Sequence, residues 1–284
     1  MAQEPTQPDP FLTVLVHELT AKPPVTGLCA GYEGGRWRAK ELAAHMLEWL
    51  PEFALGHTEQ QGINAGTAAR ALRNAAQRVY QTDKFKKRGE FGELLLHIVI
   101  RQVHETIPAI SKIYYKDSTN STVKGFDCVH VIVTEGSLEL WVGEVKFYKD
   151  INKAISDVVK ELGNHTKDEY LRREFAAITT KIDPAWPYAE KLKKLIHANT
   201  TLDDVFDAIC IPVLLTYNSD AVNAHSRDTK EYRKAFEAEI KAHHRVFSGK
   251  ALPKVRIHLF LVPLKDKDEL IKELDRGLKI WQKI

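Results

Sequence analysis

The sequence predicts an α/β fold in which a mixed central sheet is flanked by helices. Two strands are predicted at 128–133 and 138–147, joined as a β-hairpin by the turn-forming Glu135-Gly136-Ser137. The continuous apolar run 208–216 is short enough for a strand that is buried on both faces. Amphipathic helical patterns lie between these runs, and this alternation is typical of a sheet covered by helices.

Length and composition indicate a sizeable buried core. The chain has 284 residues, of which 44% are hydrophobic, so it fits one elaborated domain or a core with a helical extension. A net charge of only +3 excludes a polycationic nucleic-acid coat, so any nucleic-acid surface must come from local basic patches. Three widely spaced cysteines, Cys29, Cys128 and Cys210, indicate a reducing setting without a disulfide framework.

The N-terminal leader, residues 1–10, is polar and rich in proline. We expect it to be a disordered tail rather than a signal peptide. No apolar run in the sequence approaches the length of a membrane span. These features predict a cytoplasmic protein that has no membrane partner.

Residues 11–82 are predicted to form a largely helical N-terminal extension. A weakly alternating strand at 11–19 is interrupted by Lys22-Pro23-Pro24. Helical patterns follow at 39–50 and 66–80. Pro51 is expected to end the first of these helices.

Residues 83–284 are predicted to form the core domain. Its first helix, 89–107, is apolar over most of its circumference, which is typical of a central helix. One polar stripe runs along this helix, with members three or four positions apart. The stripe consists of Glu90, Glu93, His97, Arg101 and His104.

The rest of the core alternates strands with helices. A short strand is predicted at 113–115, before the hairpin, and an amphipathic helix at 151–162, after it. A helical insertion near 166–207 holds two helices, the second with Pro187 near its first turn. The last elements are the buried strand at 208–216, a helix at 227–247, a strand at 255–264 and a closing helix at 266–284.

The candidate catalytic residues of the hairpin are Asp127, Glu144 and Lys146. Side chains alternate along a strand, so Glu144 and Lys146 project from the same face, and the hairpin can bring Asp127 beside Glu144. Phosphodiester hydrolysis needs a metal that activates water and offsets charge in the transition state. Mg²⁺ binds few carboxylates and keeps several waters, so Asp127 and Glu144 suit it. Lys146 can position the attacking water or stabilise charge.

A further carboxylate at the start of the central helix would complete the metal site. Glu93 is the first candidate, and Glu90, one turn earlier on the same stripe, is the alternative. The competing interpretation is that such charged residues only keep an edge strand soluble. The catalytic interpretation is favoured because Glu144 and Lys146 interrupt an apolar row and because Asp127 comes just after Gly125-Phe126 at a strand start.

The order helix-Glu, strand-Asp, hairpin, strand-Glu-x-Lys, helix resembles the core of the PD-(D/E)XK nuclease superfamily. Over about residues 11–284, the sequence is similar to HamA, the nuclease subunit of the bacterial Hachiman anti-phage defence system. The segments that carry this resemblance are Leu28-Cys29-Ala30-Gly31-Tyr32-Glu33, Trp49-Leu50-Pro51-Glu52-Phe53, Arg88-Gly89-Glu90-Phe91-Gly92-Glu93-Leu94-Leu95 and Gly143-Glu144-Val145-Lys146-Phe147-Tyr148. The family's Glu-x-Lys corresponds to Glu144 and Lys146, and its aspartate to Asp127, whereas Phe126 stands where the superfamily usually has a proline.

The resemblance implies a metal-dependent DNA nuclease that acts in the bacterial cytoplasm as the effector of an anti-phage defence system. It also implies Mg²⁺ as the cofactor, with Mn²⁺ as a substitute, and a superfamily 2 helicase of the HamB type as a partner. The rival from another class is a catalytically silent nuclease-like subunit that only binds DNA or regulates the helicase. The intact set of Asp127, Glu144 and Lys146 argues against this rival, because a decayed site would tolerate the loss of a member.

Two basic clusters are candidate DNA contacts. They are Lys84, Lys86, Lys87 and Arg88 before the central helix, and Lys149, Lys153 and Lys160 on the helix after the hairpin. Lysines in such positions can contact the phosphate backbone. The competing interpretation of both clusters is an ordinary solvated surface.

Overall fold

The computed structural model describes residues 7–79, 89–111 and 125–284. Within these residues a seven-stranded sheet forms the centre of the molecule. From one edge to the other its strands are β1 (Thr13–Glu18), β2 (Val25–Cys29), β9 (Arg256–Leu264), β8 (Ile209–Asn218), β7 (Leu138–Phe147), β6 (Cys128–Val133) and β5 (Ile107–Pro108). A separate antiparallel pair joins β3 (Tyr32–Glu33) to β4 (Arg36–Trp37).

The sheet is mixed, as the sequence predicts. The four central strands β2, β9, β8 and β7 run parallel to one another, whereas β1, β6 and β5 each pair antiparallel with the strand beside them. Parallel strands need helical crossovers that cover both faces of a sheet, and β8 is buried along almost its whole length. The predicted α/β fold with a helix-flanked mixed sheet is therefore confirmed.

Helices occupy most of the remaining described residues. Before the hairpin they are α1 (Ala39–Glu48), α2 (Leu50–Ala54), α3 (His57–Gln61), α4 (Ala68–Val79) and α5 (Glu90–His104). After the hairpin they are α6 (Ile151–His165), α7 (Asp168–Lys181), α8 (Ala189–Leu195), α9 (Leu202–Ala208), α10 (Asp220–Ala224), α11 (Lys230–Ser248) and α12 (Lys267–Trp281). Among all the helices that the structure describes, none is both long enough and apolar enough to cross a membrane.

Helices α5 and α6 pack on opposite faces of β7. A Cβ atom on Gly92 of α5 would lie only 2.8 Å from Cβ of Phe147 and 3.2 Å from Cγ2 of Val145, so α5 lies directly on that face. Because side chains alternate along a strand, Glu144 and Lys146 project from the other face, which α6 covers. The two candidate residues of β7 therefore point away from the central helix and towards α6.

The N-terminal segment contributes strands to the central sheet as well as helices. The strand predicted at 11–19 is β1, and β2 adds a fully buried second strand that the sequence patterns did not indicate. Pro51 does not end the helical segment as predicted. It lies in the first turn of α2, a position where proline fits because its missing N–H would have no helical partner. The division into an extension at 11–82 and a core at 83–284 stays a prediction.

The central helix α5 is buried on nearly all sides, as expected, and it ends earlier than predicted. Glu105 follows it in the left-handed conformation, with φ of 51°, which breaks the helix before β5. The short strand predicted at 113–115 lies outside the described residues. Short helices α9 and α10 were not anticipated, because their five to seven residues are too few to show a periodic pattern.

Three members of the polar stripe of α5, Glu93, His97 and Arg101, are buried. His97 and Arg101 contact Glu52 of α2, with Nε2 of His97 at 3.2 Å and Nε of Arg101 at 2.7 Å from Oε1 of Glu52. Nδ1 of His97 is hydrogen-bonded to Nε2 of His130 on β6 at 3.1 Å, and Nδ1 of His130 to Oγ1 of Thr106 at 2.8 Å. We call Glu52, His97, Arg101, His130 and Thr106 the α5 polar network.

A second pair of histidines is formed by the half-buried His104, the last residue of α5, and the buried His258 of β9. Nε2 of His258 on β9 is hydrogen-bonded to Oγ1 of Thr26 at 2.9 Å, and the His258 ring is stacked on Phe260 with centroids 4.3 Å apart. The ring of His104 meets His258 edge-on at 4.7 Å. Burial lowers the pKa of His258 to about 3 and that of His104 to about 4, with neighbouring histidines adding to both shifts. Both rings are therefore neutral in the folded protein at neutral pH.

The free energy of unfolding is expected to fall as the pH drops below about 6.5, the pKa of an unperturbed histidine. The unfolded chain binds a proton at His258 there, whereas the folded protein binds it only near pH 3. Each such histidine should remove about 1.4 kcal/mol of stability per pH unit across this range. Urea denaturation of wild type and His258→Gln between pH 7 and pH 4.5 measures the slope. In the variant, the change of unfolding free energy with pH should be smaller by about 1.4 kcal/mol per pH unit, and an unchanged slope would contradict the prediction.

Candidate active site

The hairpin of β6 and β7 places Asp127 beside Glu144. Cys128 pairs with Gly143 in the antiparallel register, so Asp127 and Glu144 are the next opposed positions. The backbone N–H of Asp127 donates to the carbonyl oxygen of Gly143 at 2.7 Å. Oδ2 of Asp127 accepts a hydrogen bond from the backbone N–H of Val145 at 2.8 Å. The carboxylate of Asp127 is thus held against β7, directly next to the Glu-x-Lys segment.

Glycine at position 143 allows this close packing. A Cβ atom there would lie 2.7 Å from Cδ2 of Leu96 on α5 and 3.3 Å from Cγ of Pro212 on β8. A side chain at this point would force α5 and β8 away from β7. The residue before Glu144 therefore determines how closely the layers around the site can approach.

Glu144 is almost completely buried, with 1% of its surface exposed. Its Oε1 is hydrogen-bonded to Nδ1 of His165, the last residue of α6. Burial raises the pKa of Glu144 to about 7 and the Asp127 carboxylate adds to the rise, although His165 and Lys146 oppose it. Burial also acts to lower the pKa of His165, but its hydrogen bond to Glu144 and the surrounding carboxylates leave that pKa raised.

Lys146 is buried beside Glu144 and is paired with the carboxylate of Glu161 on α6. Burial alone would lower the pKa of Lys146. The hydrogen bond from Lys146 to Glu161 and the charges of Glu161, Glu144 and Asp127 outweigh burial, so the pKa is raised. The amine of Lys146 is therefore an ammonium at neutral pH and can donate hydrogen bonds to a water molecule or a phosphate oxygen.

Aromatic rings enclose the histidine that contacts Glu144. The rings of His165 and Tyr170 are stacked, with centroids 4.2 Å apart and an interplanar angle of 12°. Phe126 meets His165 edge-on at 5.6 Å. Phe126, at the position where the superfamily usually has a proline, thus forms part of the wall of this site.

The carboxylates of α5 belong to the helix on the opposite face of β7. Glu90 and Glu93 are both in the first turn of α5, and Glu93 is buried. In residues 7–79, 89–111 and 125–284, no three His, Cys, Asp or Glu side chains are arranged so that they could hold a metal ion. The structure thus brings together Asp127 and Glu144, and the role of Glu93, or of Glu90, as a third ligand stays a prediction.

The chemistry of the paired carboxylates fits a hard divalent cation. Asp127 and Glu144 offer only oxygen donors, which Mg²⁺ and Mn²⁺ accept. Glu144 is deeply buried with a raised pKa, and a nearby cation would favour its ionised form. The residues present could therefore hold such an ion with two carboxylates and bound water.

The predicted basic contacts are divided between described and undescribed parts of the chain. Lys84, Lys86, Lys87 and Arg88 lie outside the described residues. Nζ of Lys149 lies 2.5 Å from Oδ2 of Asp268, and Nζ of Lys153 lies 5.7 Å from the centre of the Tyr148 ring. Lys149, Lys153 and Lys160 are all exposed on or next to α6. Contact with DNA stays a prediction for both clusters.

Sequence reasoning missed Glu161 and His165, the two α6 residues that contact the Glu-x-Lys pair. The signal was present in the buried seam of α6, where Val158 and Leu162 are followed by His165 at helical spacing. A histidine in line with apolar residues indicates a buried polar contact. Glu161 follows Lys160 and resembles an ordinary solvated position, so its partner could be found only from the fold.

Comparisons with known proteins show the family to which the chain belongs. A curated relative from Escherichia coli (strain K12), named "Anti-bacteriophage protein A", is 22% identical over 287 aligned positions that cover 93% of this chain. The alignment covers 52% of the relative, so the chain spans about half the length of that protein. The family model of HamA matches residues 8–278, almost the whole sequence. This match shows that the chain belongs to the HamA family.

Proposed function

We propose that this chain is a metal-dependent nuclease that hydrolyses DNA as part of a defence against bacteriophages. The observation that carries the proposal is the meeting of Asp127, Glu144 and Lys146 at one point of the sheet. Membership of the HamA family and the name of the Escherichia coli relative support the defence role. Buried, interacting charged groups at one point are also typical of functional sites.

Asp127 and Glu144 would hold a Mg²⁺ or Mn²⁺ ion, with Glu93 or Glu90 as a candidate third ligand. The ion, when bound, would activate water and offset charge on the phosphate. Lys146 remains an ammonium and would donate hydrogen bonds to the attacking water or to a phosphate oxygen. The aromatic wall of Phe126 and Tyr170 would keep water away from the buried side of Glu144.

A superfamily 2 helicase of the HamB type is the proposed partner, and the similarity of the sequence to HamA supports it. In such an arrangement the helicase would deliver or sense DNA and the nuclease would cut it. The lysines on and next to α6, Lys149, Lys153 and Lys160, would face the backbone of that DNA.

A second candidate function is a nuclease-like subunit that binds DNA without cutting it. One observation favours it. The carboxylate of Glu144 is already hydrogen-bonded to His165, and the ammonium of Lys146 already donates to Glu161. Such a subunit would bind DNA equally well with and without divalent ions and would never nick it.

Cleavage of supercoiled plasmid by the purified chain distinguishes the two functions. The assay compares Mg²⁺, Mn²⁺ and EDTA, with wild type and Glu144→Ala. Metal-dependent nicking or degradation that disappears in the variant would support the nuclease. If wild type leaves the plasmid intact, the assay is repeated with the helicase, ATP and damaged DNA. Intact DNA under those conditions as well would exclude the proposed nuclease.

A further inference from the structure

We propose that Glu161 and His165 of α6 are positioning residues of the site, with Glu161 acting through Lys146 and His165 acting through Glu144. This inference rests on the proposed nuclease function. In this role, helix α6 holds the side chains of Glu144 and Lys146 in place.

The spacing of the two pairs matches the geometry of a helix that runs back along a strand. Glu144 and Lys146 are two positions apart on a strand, which separates them by about 6.6 Å. Glu161 and His165 are four positions apart on a helix, which separates them by about 6 Å. Since α6 follows β7 and returns along it, Lys146 meets Glu161 and Glu144 meets His165 at the same time.

The contact with Glu161 determines where the ammonium of Lys146 lies. The side chain of Lys146 is 9% exposed, whereas that of Glu161 is 41% exposed. A buried ammonium needs a partner, and the flexible four-carbon stem of lysine allows several positions of its nitrogen. Glu161 selects one of these positions, next to Glu144 and Asp127.

The contact with His165 in turn orients the carboxylate of Glu144. Tyr170 and Phe126 fix the plane of the His165 ring, so that Nδ1 points at Oε1 of Glu144. A ring held from two sides can orient a carboxylate that would otherwise rotate in its pocket. Such outer contacts are known to matter for metal ligands, since their loss typically lowers metal affinity or activity by about 10- to 100-fold.

Helix α6 offers a matched control for Glu161. Asp157 lies one turn earlier and contacts the residue that follows β7, with Oδ2 at 3.0 Å from the hydroxyl of Tyr148. It carries the same charge on the same helix, but it does not contact Lys146. Asp157→Asn therefore controls for the loss of a negative charge from α6.

The first test measures kcat and KM for plasmid cleavage by Glu161→Ala, Glu161→Gln, Lys146→Ala and the double variant Glu161→Ala/Lys146→Ala. We expect Glu161→Ala to lower kcat by about 10- to 100-fold with KM unchanged, and Glu161→Gln to lower it less because its amide oxygen still accepts a hydrogen bond. The double variant should be no slower than Lys146→Ala alone. Wild-type kcat in Glu161→Ala, or additive losses in the double variant, would overturn the assignment.

The second test measures Mn²⁺ binding to the intact chain by electron paramagnetic resonance. His165→Ala should weaken binding by about 10-fold, whereas His165→Asn should restore most of it, because the asparagine amide can occupy the position of Nδ1. Equal affinities of wild type and His165→Ala would contradict the role of His165.

A third measurement separates this inference from the nuclease function. Reductive methylation followed by mass spectrometry reports how accessible the amine of Lys146 is, whether or not the chain cuts DNA. Lys146 should be methylated faster in Glu161→Ala than in wild type or Asp157→Asn. Unchanged methylation would overturn the positioning role of Glu161. Changed methylation without cleavage, even with the helicase, ATP and damaged DNA present, would overturn only the nuclease function.

Discussion

Replacing Lys146 by alanine is expected to lower the rate of DNA cleavage by about 100-fold or more. The ammonium of Lys146 lies beside the carboxylates of Asp127 and Glu144, in a buried site where a fixed charge interacts strongly. No neighbouring side chain of β7 could replace it, because Val145 and Phe147 project from the opposite face. The rate constant of plasmid nicking in Mg²⁺, measured at saturating DNA, tests the prediction.

The structure offers a matched control for the loss of a lysine. Lys279 lies on α12, which packs on α1 and α4, and its exposed amine pairs with Asp275 at 2.9 Å. Lys279→Ala should cleave within a few-fold of wild type, since exposed ion pairs contribute little and this amine has no part in the proposed site. Cleavage by Lys146→Ala at the rate of Lys279→Ala would remove Lys146 from the mechanism.

The parts of the site that the sequence predicted depend on local patterns. A turn between two strand-like runs fixes a hairpin register, so the meeting of Asp127 and Glu144 could be inferred from the sequence alone. The same reasoning placed Glu144 and Lys146 on one face, since the period of a strand is two. The buried helix α5 was predictable because its apolar residues surround its axis.

The parts that the sequence did not predict depend on contacts between distant segments. The strand β2 comes right after the proline-rich break, between β1 and β9. It shows no alternation because all five of its residues are buried. The amphipathic pattern of α6 does not show by itself on which face of β7 this helix lies. For that reason Glu161 and His165 were missed, whereas their partners on β7 were found.

The polar stripe of α5 is a case in which the sequence pattern pointed to a contact that the fold does not make. Its spacing put His97 and Arg101 in line with the candidate ligands Glu90 and Glu93. In the fold, His97 and Arg101 instead contact Glu52. A one-dimensional pattern shows that these side chains share a face and does not show what covers that face. We therefore expect the α5 polar network to stabilise the fold, so that its disruption lowers the free energy of unfolding.

Replacing Glu52 by alanine is expected to lower the free energy of unfolding by about 3–5 kcal/mol. The side chain of Glu52 is 13% exposed, and its carboxylate contacts both His97 and Arg101. Burial acts to raise the pKa of Glu52, but His97 and Arg101 together lower it, so Glu52 is ionised in the folded protein. Its removal would leave the guanidinium of Arg101 buried without its carboxylate partner. Urea denaturation followed by circular dichroism at pH 7 measures the loss.

Glu48, one turn before Glu52, is the matched control. Its side chain is 55% exposed and lies 3.5 Å from Nδ1 of His45, so Glu48→Ala should cost about 1 kcal/mol or less. The double variant Glu52→Leu/Arg101→Leu removes both charges together. It should cost less than the sum of the two single leucine variants, because neither replacement then leaves a buried charge behind. Additive losses in this cycle, or equal losses for Glu48→Ala and Glu52→Ala, would mean that the network contributes no more than a surface ion pair.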